Sequence, residues 1–264
     1  MSTTASPSLR AGYDTDGFHI HDEPILSSDL LARAAAGLTD VRNGLSETGT
    51  APFDTSWKPG DDPSGLAKIE MPQLANRALV DALVQSDLGR IAAEITGAEM
   101  VQVWWVQGLY KPPTAGTTSS TNIGWHQDHH YWQHTWGPDS ELFTAWLALS
   151  DVGAESGPMQ FVPGSHRWGE VDGDFFNQNQ DAIKSGVAIP DGAEWTEVTD
   201  VLPAGGVSFH HRWLLHGSNQ NMSRHPRLSL AVHLRTEKSA VLDPASDLVS
   251  YLDRQDVCPV IFGR

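Results

Sequence analysis

From residue 100 to residue 235 the chain is punctuated at short intervals by turn residues: Pro112-Pro113, Gly137-Pro138, Gly157-Pro158, Pro163-Gly164, Pro190-Asp191-Gly192 and Gly205-Gly206. Segments bounded this closely are of strand length, and a long series of short strands buries its apolar faces as a sandwich or jelly roll. The stretch Arg227-Leu228-Ser229-Leu230-Ala231-Val232-His233-Leu234-Arg235 carries the pattern most plainly. Alternation puts Leu228, Leu230, Val232 and Leu234 on one face and Arg227, Ser229, His233 and Arg235 on the other. An arginine on an inward face is costly unless an anion meets it, and its planar fork suits a carboxylate.

The N-terminal third reads differently. Residues 1–11 are expected to be loose, and Ser27-Ser28-Asp29 starts a helix that runs to about Ala36, with Ser27 or Ser28 as cap and Gly37 as terminator. Residues 43–65, rich in Gly, Pro, Asp and Thr, read as an irregular excursion over the sheet, of a kind that can cover an active-site mouth. Within 74–96, Leu79, Leu83, Ile91 and Ile95 recur at helical spacing with a break near Ser86-Asp87, which predicts two helices packed outside the sheet. Residues 175–189 are the least legible segment, and a helix over the barrel mouth is one reading of them. With no internal repeat and no shift in composition, a single domain over 1–264 is the simplest organisation, its core at 100–235.

Lysine and arginine number 17 against 33 acidic residues, a net charge of −16. Nucleic acid and anionic membranes both want a basic patch, so neither is an expected partner. A small substrate is compatible with that charge, whereas a polyanion such as a CoA ester is modestly opposed. The one cysteine, Cys258, excludes an intramolecular disulfide and fits a reducing compartment. No secretory signal or span of transmembrane length is apparent, so the expectation is a soluble, cytoplasmic protein. Oligomeric state is left open.

Against this frame the stretch Gly124-Trp125-His126-Gln127-Asp128-His129-His130-Tyr131-Trp132 carries the chemistry. On an extended strand His126 and Asp128 leave the same face and can grip one ion. About one His-x-Asp pair is expected by chance in a chain with 12 histidines, so the pair alone decides nothing. Downstream, Val207-Ser208-Phe209-His210-His211 leads into Trp213-Leu214-Leu215-His216-Gly217-Ser218, which reads as a strand with His216 at its exit, followed by a polar turn. If His216 and Arg227 belong to antiparallel neighbours, both face one cavity. Two imidazoles and a carboxylate on one face of an octahedral ion leave the other face open, as expected of non-haem Fe(II) enzymes that bind oxygen and a cosubstrate.

Other histidines are read blandly. His129, His130 and His134 are expected to be pocket or surface residues, with further metal ligands as the alternative. His210 and His211 point to opposite faces, so at most one meets the cavity; His166 fixes a loop; His19, His21, His225 and His233 carry no signal. Of ten tryptophans, Trp104 and Trp105 must face opposite sides of a strand. Tyr131 or Trp132, just beyond a candidate ligand, is expected to touch substrate.

An ordered series of stretches carries a resemblance: Leu109-Tyr110-Lys111-Pro112-Pro113, Trp125-His126-Gln127-Asp128, residues 144–149, residues 156–166, and His216-Gly217-Ser218 with Arg227 eleven residues after the histidine. It resembles the phytanoyl-CoA dioxygenase (PhyH-like) family of Fe(II)/2-oxoglutarate oxygenases and spans roughly residues 66–235. The resemblance implies a mainly β, double-stranded β-helix fold with flanking N-terminal helices. It places Fe(II) on His126, Asp128 and His216, the distal carboxylate of 2-oxoglutarate on Arg227, and further cosubstrate contacts on Lys68, Gln107, Trp146 and Ser218. The reaction it implies consumes O2 and oxidises, most often hydroxylates, a C–H bond, releasing succinate and CO2. Related halogenases lack the carboxylate, so Asp128 argues against halogenation. A small natural product of secondary metabolism is the first expectation for the substrate and a fatty acyl-CoA the weaker one. Two rivals predict differently: a non-catalytic metal-binding jelly roll acting as a binding module, and a cupin-like enzyme that uses oxygen without a keto acid. Neither accounts for the alternation of arginine and serine with leucine beyond His216.

Overall fold

The computed structural model describes residues 9–114, 117, 121–171 and 180–263. Its strands are β1 (Phe18–His21), β2 (Asp54–Thr55), β3 (Ala67–Glu70), β4 (Val101–Lys111), β5 (Ile123–His126), β6 (Leu142–Ala148), β7 (Met159–Phe161), β8 (Val198–Thr199), β9 (Val207–His211), β10 (His216–Ser218), β11 (Arg227–Thr236) and β12 (Val260–Phe262). Its helices are α1 (Leu9–Asp16), α2 (Ser28–Arg42), α3 (Arg77–Val84), α4 (Leu88–Thr96), α5 (His129–Trp132) and α6 (Gln180–Gly186). The strands form two antiparallel sheets. The larger runs β1-β9-β6-β11-β4-β3-β2, with β12 also on β4, and the smaller runs β5-β10-β7-β8. This is the double-stranded β-helix, and its larger sheet takes in β1, β2, β3 and β12 from outside the 100–235 stretch.

The alternation in β11 sorts as its pattern requires. Leu228, Leu230, Val232 and Leu234 are buried on the helical side with Leu38, Leu79, Leu83, Ile91 and Ile95. Each such side chain contributes about 1.5–3 kcal/mol on burial, which settles the face of the strand. Arg227, Ser229 and His233 are thereby turned inward, toward the small sheet. Trp146, Ala148 and Ala231 of the large sheet meet Met159 and Phe161 of the small one in an apolar layer between them.

Several expectations are met. Ser27 caps α2, its side chain accepting from Leu30 N at 3.3 Å. The break at residues 85–87 separates α3 from α4, and Gly97 ends α4 in the left-handed region at φ 70°. Residues 43–65 are irregular apart from β2, and Phe53 and Asp54 from this excursion line the mouth of the main cavity. No helix among the described residues is long and apolar enough to cross a membrane.

Three expectations are corrected. Residues 1–8 lie outside the described part, but residues 9–11, also read as loose, form the first turn of α1, which is anchored by burial of Tyr13 in the core. Helix α2 runs past Gly37 to Arg42. Gly37 is a contact residue rather than a terminator, because a Cβ there would stand 2.6 Å from Asn76 Oδ1. Of residues 175–189, those up to 179 lie outside the described part, while Ile183 and Val187 pack with Trp125, Val162 and Leu215. That places α6 on the outer face of the small sheet instead of over the mouth.

Candidate metal centre and cosubstrate pocket

The ligand set assembles by a different route from the one the spacing suggested. Strand β5 stops at His126, and Asp128 already has helical backbone angles, φ −57° and ψ −30°, at the start of α5. A bond from His129 N to Arg212 O at 2.9 Å pins this turn. Nor is His216 the exit of the preceding strand. Strand β9 ends at His211, a tight turn follows with Leu214 N bonded to His211 O at 2.8 Å, and His216 opens β10 in the other sheet. There it is the direct register partner of His126. His216 and Arg227 are therefore not sheet neighbours, since Arg227 opens β11 in the large sheet and pairs with Lys111.

His126, Asp128 and His216 nevertheless converge, and their donor atoms lie within 4.8 Å of one another. Asp128 Oδ1 stands 3.7 Å from Nε2 of His126 and 3.7 Å from Nε2 of His216. The back of each ring is tied to a carbonyl, His126 Nδ1 to Gly124 O at 2.8 Å and His216 Nδ1 to Leu214 O at 2.9 Å. A carbonyl only accepts, so each Nδ1 carries the proton and each Nε2 offers its lone pair into the site. Burial, followed by the neighbouring His216, pushes His126 down to about 3; burial, followed by His210, pushes His216 down to about 4. Both rings are neutral donors at pH 7, and this donor set fits a divalent iron ion.

Behind Asp128 lie three residues the sequence did not single out as a group. Its Oδ2 accepts from Thr144 Oγ1 at 2.8 Å and from His210 Nε2 at 3.2 Å. Thr144 Oγ1 in turn meets His233 Nδ1 at 2.9 Å. Strand parity carried part of this signal, since His233 alternates with the leucines of β11 on the same face as Arg227. His210 is the one of its adjacent pair that faces inward; His211 packs against Tyr13 and His166.

Beyond the triad two cationic side chains are buried side by side. Arg227 is 1 % exposed, its guanidinium lying 4.9 Å over the Trp146 ring and donating to Gly157 O. Its Nε has no partner among the described residues. Lys111 is fully buried and donates to Ser218 Oγ at 2.8 Å and Asn219 O at 2.7 Å. Burial and then Arg227 push Lys111 well below the usual lysine range, while burial pushes Arg227 down to about 9 against the pull of Asp200. Asp200 is itself raised to about 7 by burial, so it neutralises the pair incompletely. The unused Nε and the unbalanced charge fit an incoming carboxylate. Lys111 belongs to the Lys-Pro-Pro stretch, and its pairing with Arg227 is visible only in the fold.

A cavity of about 720 Å³ opens in front of the triad. Trp146 and Ser218 line it, and Arg227 and Lys111 lie behind that wall, touching it through these two side chains. Lys68 and Gln107 also reach the cavity, but Glu70 engages both: Gln107 Nε2 donates to Glu70 Oε1 at 3.1 Å and Lys68 Nζ lies 3.5 Å from it. Trp105 Nε1 donates to the other oxygen at 2.6 Å. Tyr131 stands 46 % exposed at the mouth, its ring edge-on to His126 at 5.9 Å. Trp132 is 4 % exposed and packs on Trp104 and His233, so it forms wall more than contact surface. His129 stacks on Trp213 at 3.6 Å, His130 faces Glu170 at 3.4 Å, and His166 ties to Asp14 O at 3.3 Å.

Comparison with known proteins bears on this arrangement. The sequence profile of the family described as phytanoyl-CoA dioxygenase (PhyH) matches residues 13–229. The chain is 31 % identical over 230 residues to the ectoine dioxygenase of Bordetella parapertussis (strain 12822), covering 83 % of this chain and 71 % of that protein. It is 27 % identical over 213 residues to a probable alpha-ketoglutarate-dependent hypophosphite dioxygenase of Stutzerimonas stutzeri, covering 76 % and 68 %. The solved structure of the non-heme alpha ketoglutarate dependent carbocyclase SnoK from nogalamycin biosynthesis shares the fold, with TM-score 0.68, 22 % identity and 95 % and 91 % coverage.

Proposed function

The chain belongs to the phytanoyl-CoA dioxygenase (PhyH) family, a dioxygenase with iron and 2-oxoglutarate as its cofactors, and from that premise we propose that it hydroxylates an unactivated C–H bond of a small natural product. Bound iron, with 2-oxoglutarate and O2, supplies the oxidising chemistry, and succinate and CO2 are the coproducts. His126, Asp128 and His216 hold the ion. Arg227, with Lys111 beside it, receives the distal carboxylate of 2-oxoglutarate, and Trp146 and Ser218 shape the passage between the two. Lys68 and Gln107 line the cavity and are the remaining candidates for contact with the cosubstrate, although Glu70 engages both. Tyr131, and the edge of Trp132, meet the substrate.

The observation that carries this reading is the convergence of three metal donors, two of them in a fixed tautomer, on a cavity backed by paired buried cations. The cavity size suits a drug-sized molecule. Asp54 and Glu70 at its mouth, on a chain of net charge −16, disfavour a polyanionic acyl-CoA. A relative named ectoine dioxygenase is consistent with a small-molecule substrate, while relatives named phytanoyl-CoA dioxygenase keep the acyl-CoA as the second reading.

The test is the anaerobic visible difference spectrum of the Fe(II) protein on titration with 2-oxoglutarate, with His216→Ala as control. A charge-transfer band in the wild type alone supports chelation at this site. No band in a protein that holds iron favours the oxygen-only enzyme, and failure to hold iron favours the binding module.

A further inference from the structure

We propose that Thr144, His210 and His233 are positioning residues that hold Asp128 as a one-oxygen ligand, presenting Oδ1 to the ion and keeping Oδ2 out of its coordination sphere. The inference rests on the metal-site reading above and adds to it a device drawn from three separate strands, β6, β9 and β11.

The hydrogen-bond directions are determined by valence. Ionised Asp128 can only accept, so both Thr144 Oγ1, at 2.8 Å, and His210 Nε2, at 3.2 Å, donate to Oδ2. A hydroxyl has one proton, and Thr144 has spent it. At the 2.9 Å contact with Thr144 Oγ1, His233 Nδ1 is therefore the donor. The result is a one-way chain, His233 to Thr144 to Asp128, with His210 as a second donor to the same oxygen. Thr144 and His210 are each 1 % exposed and His233 is 4 % exposed, so only the cavity they line gives water access to these bonds.

The rings cannot turn away. His210 is wedged between Phe161 and His216, with ring centroids at 5.7 and 4.2 Å, and His233 lies against Trp104 at 5.4 Å and Trp132 at 4.8 Å. For both oxygens of Asp128 to turn toward the ion, Oδ2 would have to abandon both donors, and His233 would have to shift its proton to Nε2 before Thr144 could donate to it instead. The asymmetry has a use. Three single-atom protein ligands leave three positions of an octahedral ion for cosubstrate and oxygen, whereas a two-oxygen carboxylate takes one of them.

Anaerobic titration of the metal-free full-length chain with Co(II) tests the clamp, reading the dissociation constant and the visible d–d spectrum. Thr144→Val keeps the β-branched shape and removes the donor; His210→Phe keeps the packing ring and removes the other. Each is expected to weaken Co(II) binding about 10- to 100-fold and to change the d–d bands as Oδ2 becomes free to coordinate. Thr144→Ser, which retains the hydroxyl, is expected to restore both affinity and spectrum, an outcome a purely structural role for the methyl group does not predict. Thermal unfolding of the metal-free variants checks that each is folded, and His210→Phe decides the matter should Thr144→Val fail that check. Wild-type affinity and bands in the folded donor-deleted variants overturn the clamp while leaving the metal site intact. A wild-type chain that binds no Co(II) overturns both.

Discussion

Lys111 and Arg227 are direct register partners at adjoining ends of β4 and β11, and both side chains are buried. Two buried cations side by side repel, and the burial of each is unfavourable until a carboxylate arrives. Under the proposed function the pair would act as a receptor whose cost is recovered on binding the cosubstrate.

Removing Arg227 is expected to weaken 2-oxoglutarate first. Arg227→Ala should raise the dissociation constant for 2-oxoglutarate by about thirtyfold or more, roughly 2 kcal/mol, as expected on losing one member of a buried charge pair. Iron affinity should stay near the wild-type value. Isothermal titration of both ligands checks it, and an unchanged 2-oxoglutarate affinity would sink the assignment.

Lys111→Met separates the two roles of the cation pair. Taking away one buried charge relieves repulsion in the cosubstrate-free protein, so its melting temperature should rise, while the further rise on adding 2-oxoglutarate should shrink. Differential scanning fluorimetry with and without 2-oxoglutarate reads both signs. A loss of stability without cosubstrate would mean that the bonds from Lys111 to Ser218 and Asn219 outweigh the repulsion.

Asp128→Ala removes the anionic ligand and leaves two neutral imidazoles. Iron retention through gel filtration and 2-oxoglutarate turnover should both fall to background. Turnover that survived with bound iron would place the metal elsewhere.

The buried His211 predicts a pH effect. Burial first, and then the charges of His166 and Arg212, push it down to about 3. Its Nδ1 accepts from Trp213 N at 3.1 Å, as the neutral ring should. Below the unfolded value near 6.5 the unfolded chain takes up a proton that the folded chain refuses, so this stability is present above that pH and is lost as pH falls toward the folded value. At pH 5 the loss amounts to about 2 kcal/mol. Asp200, raised to about 7, works in the opposite sense and offsets part of the slope. Urea unfolding of the metal-free protein at pH 7.5 and pH 5, with His211→Phe for comparison, should show a smaller loss in the variant.

Gly37→Ala decides between two opposed effects. Helix propensity alone gains about 1 kcal/mol inside α2. The new Cβ, however, would meet Asn76 Oδ1 at 2.6 Å, and that oxygen caps α3 by accepting from Ala78 N at 3.0 Å. Displacing it gives up about 1 kcal/mol of capping and adds strain of about 1 kcal/mol or more. A lower melting temperature is expected; a higher one would show that Asn76 moves aside freely.

Much of this protein was determined by sequence alone. Turn residues at short intervals, the alternation in β11 and the helical spacing of Leu79, Leu83, Ile91 and Ile95 are local patterns. Local patterns are legible because burial selects one face of each element whatever lies opposite. The candidate triad His126, Asp128 and His216 and the candidate Arg227 came from an ordered series of family-like stretches, because a His-x-Asp pair by itself is expected by chance. Tertiary structure alone decided who meets whom: His126 opposite His216 across β5 and β10, Lys111 beside Arg227, and Thr144, His210 and His233 gathered behind Asp128. Periodicity tells which side of a strand a residue faces, but the partner on that side is set by register and by the packing of two sheets, which bring together residues that chain spacing leaves far apart.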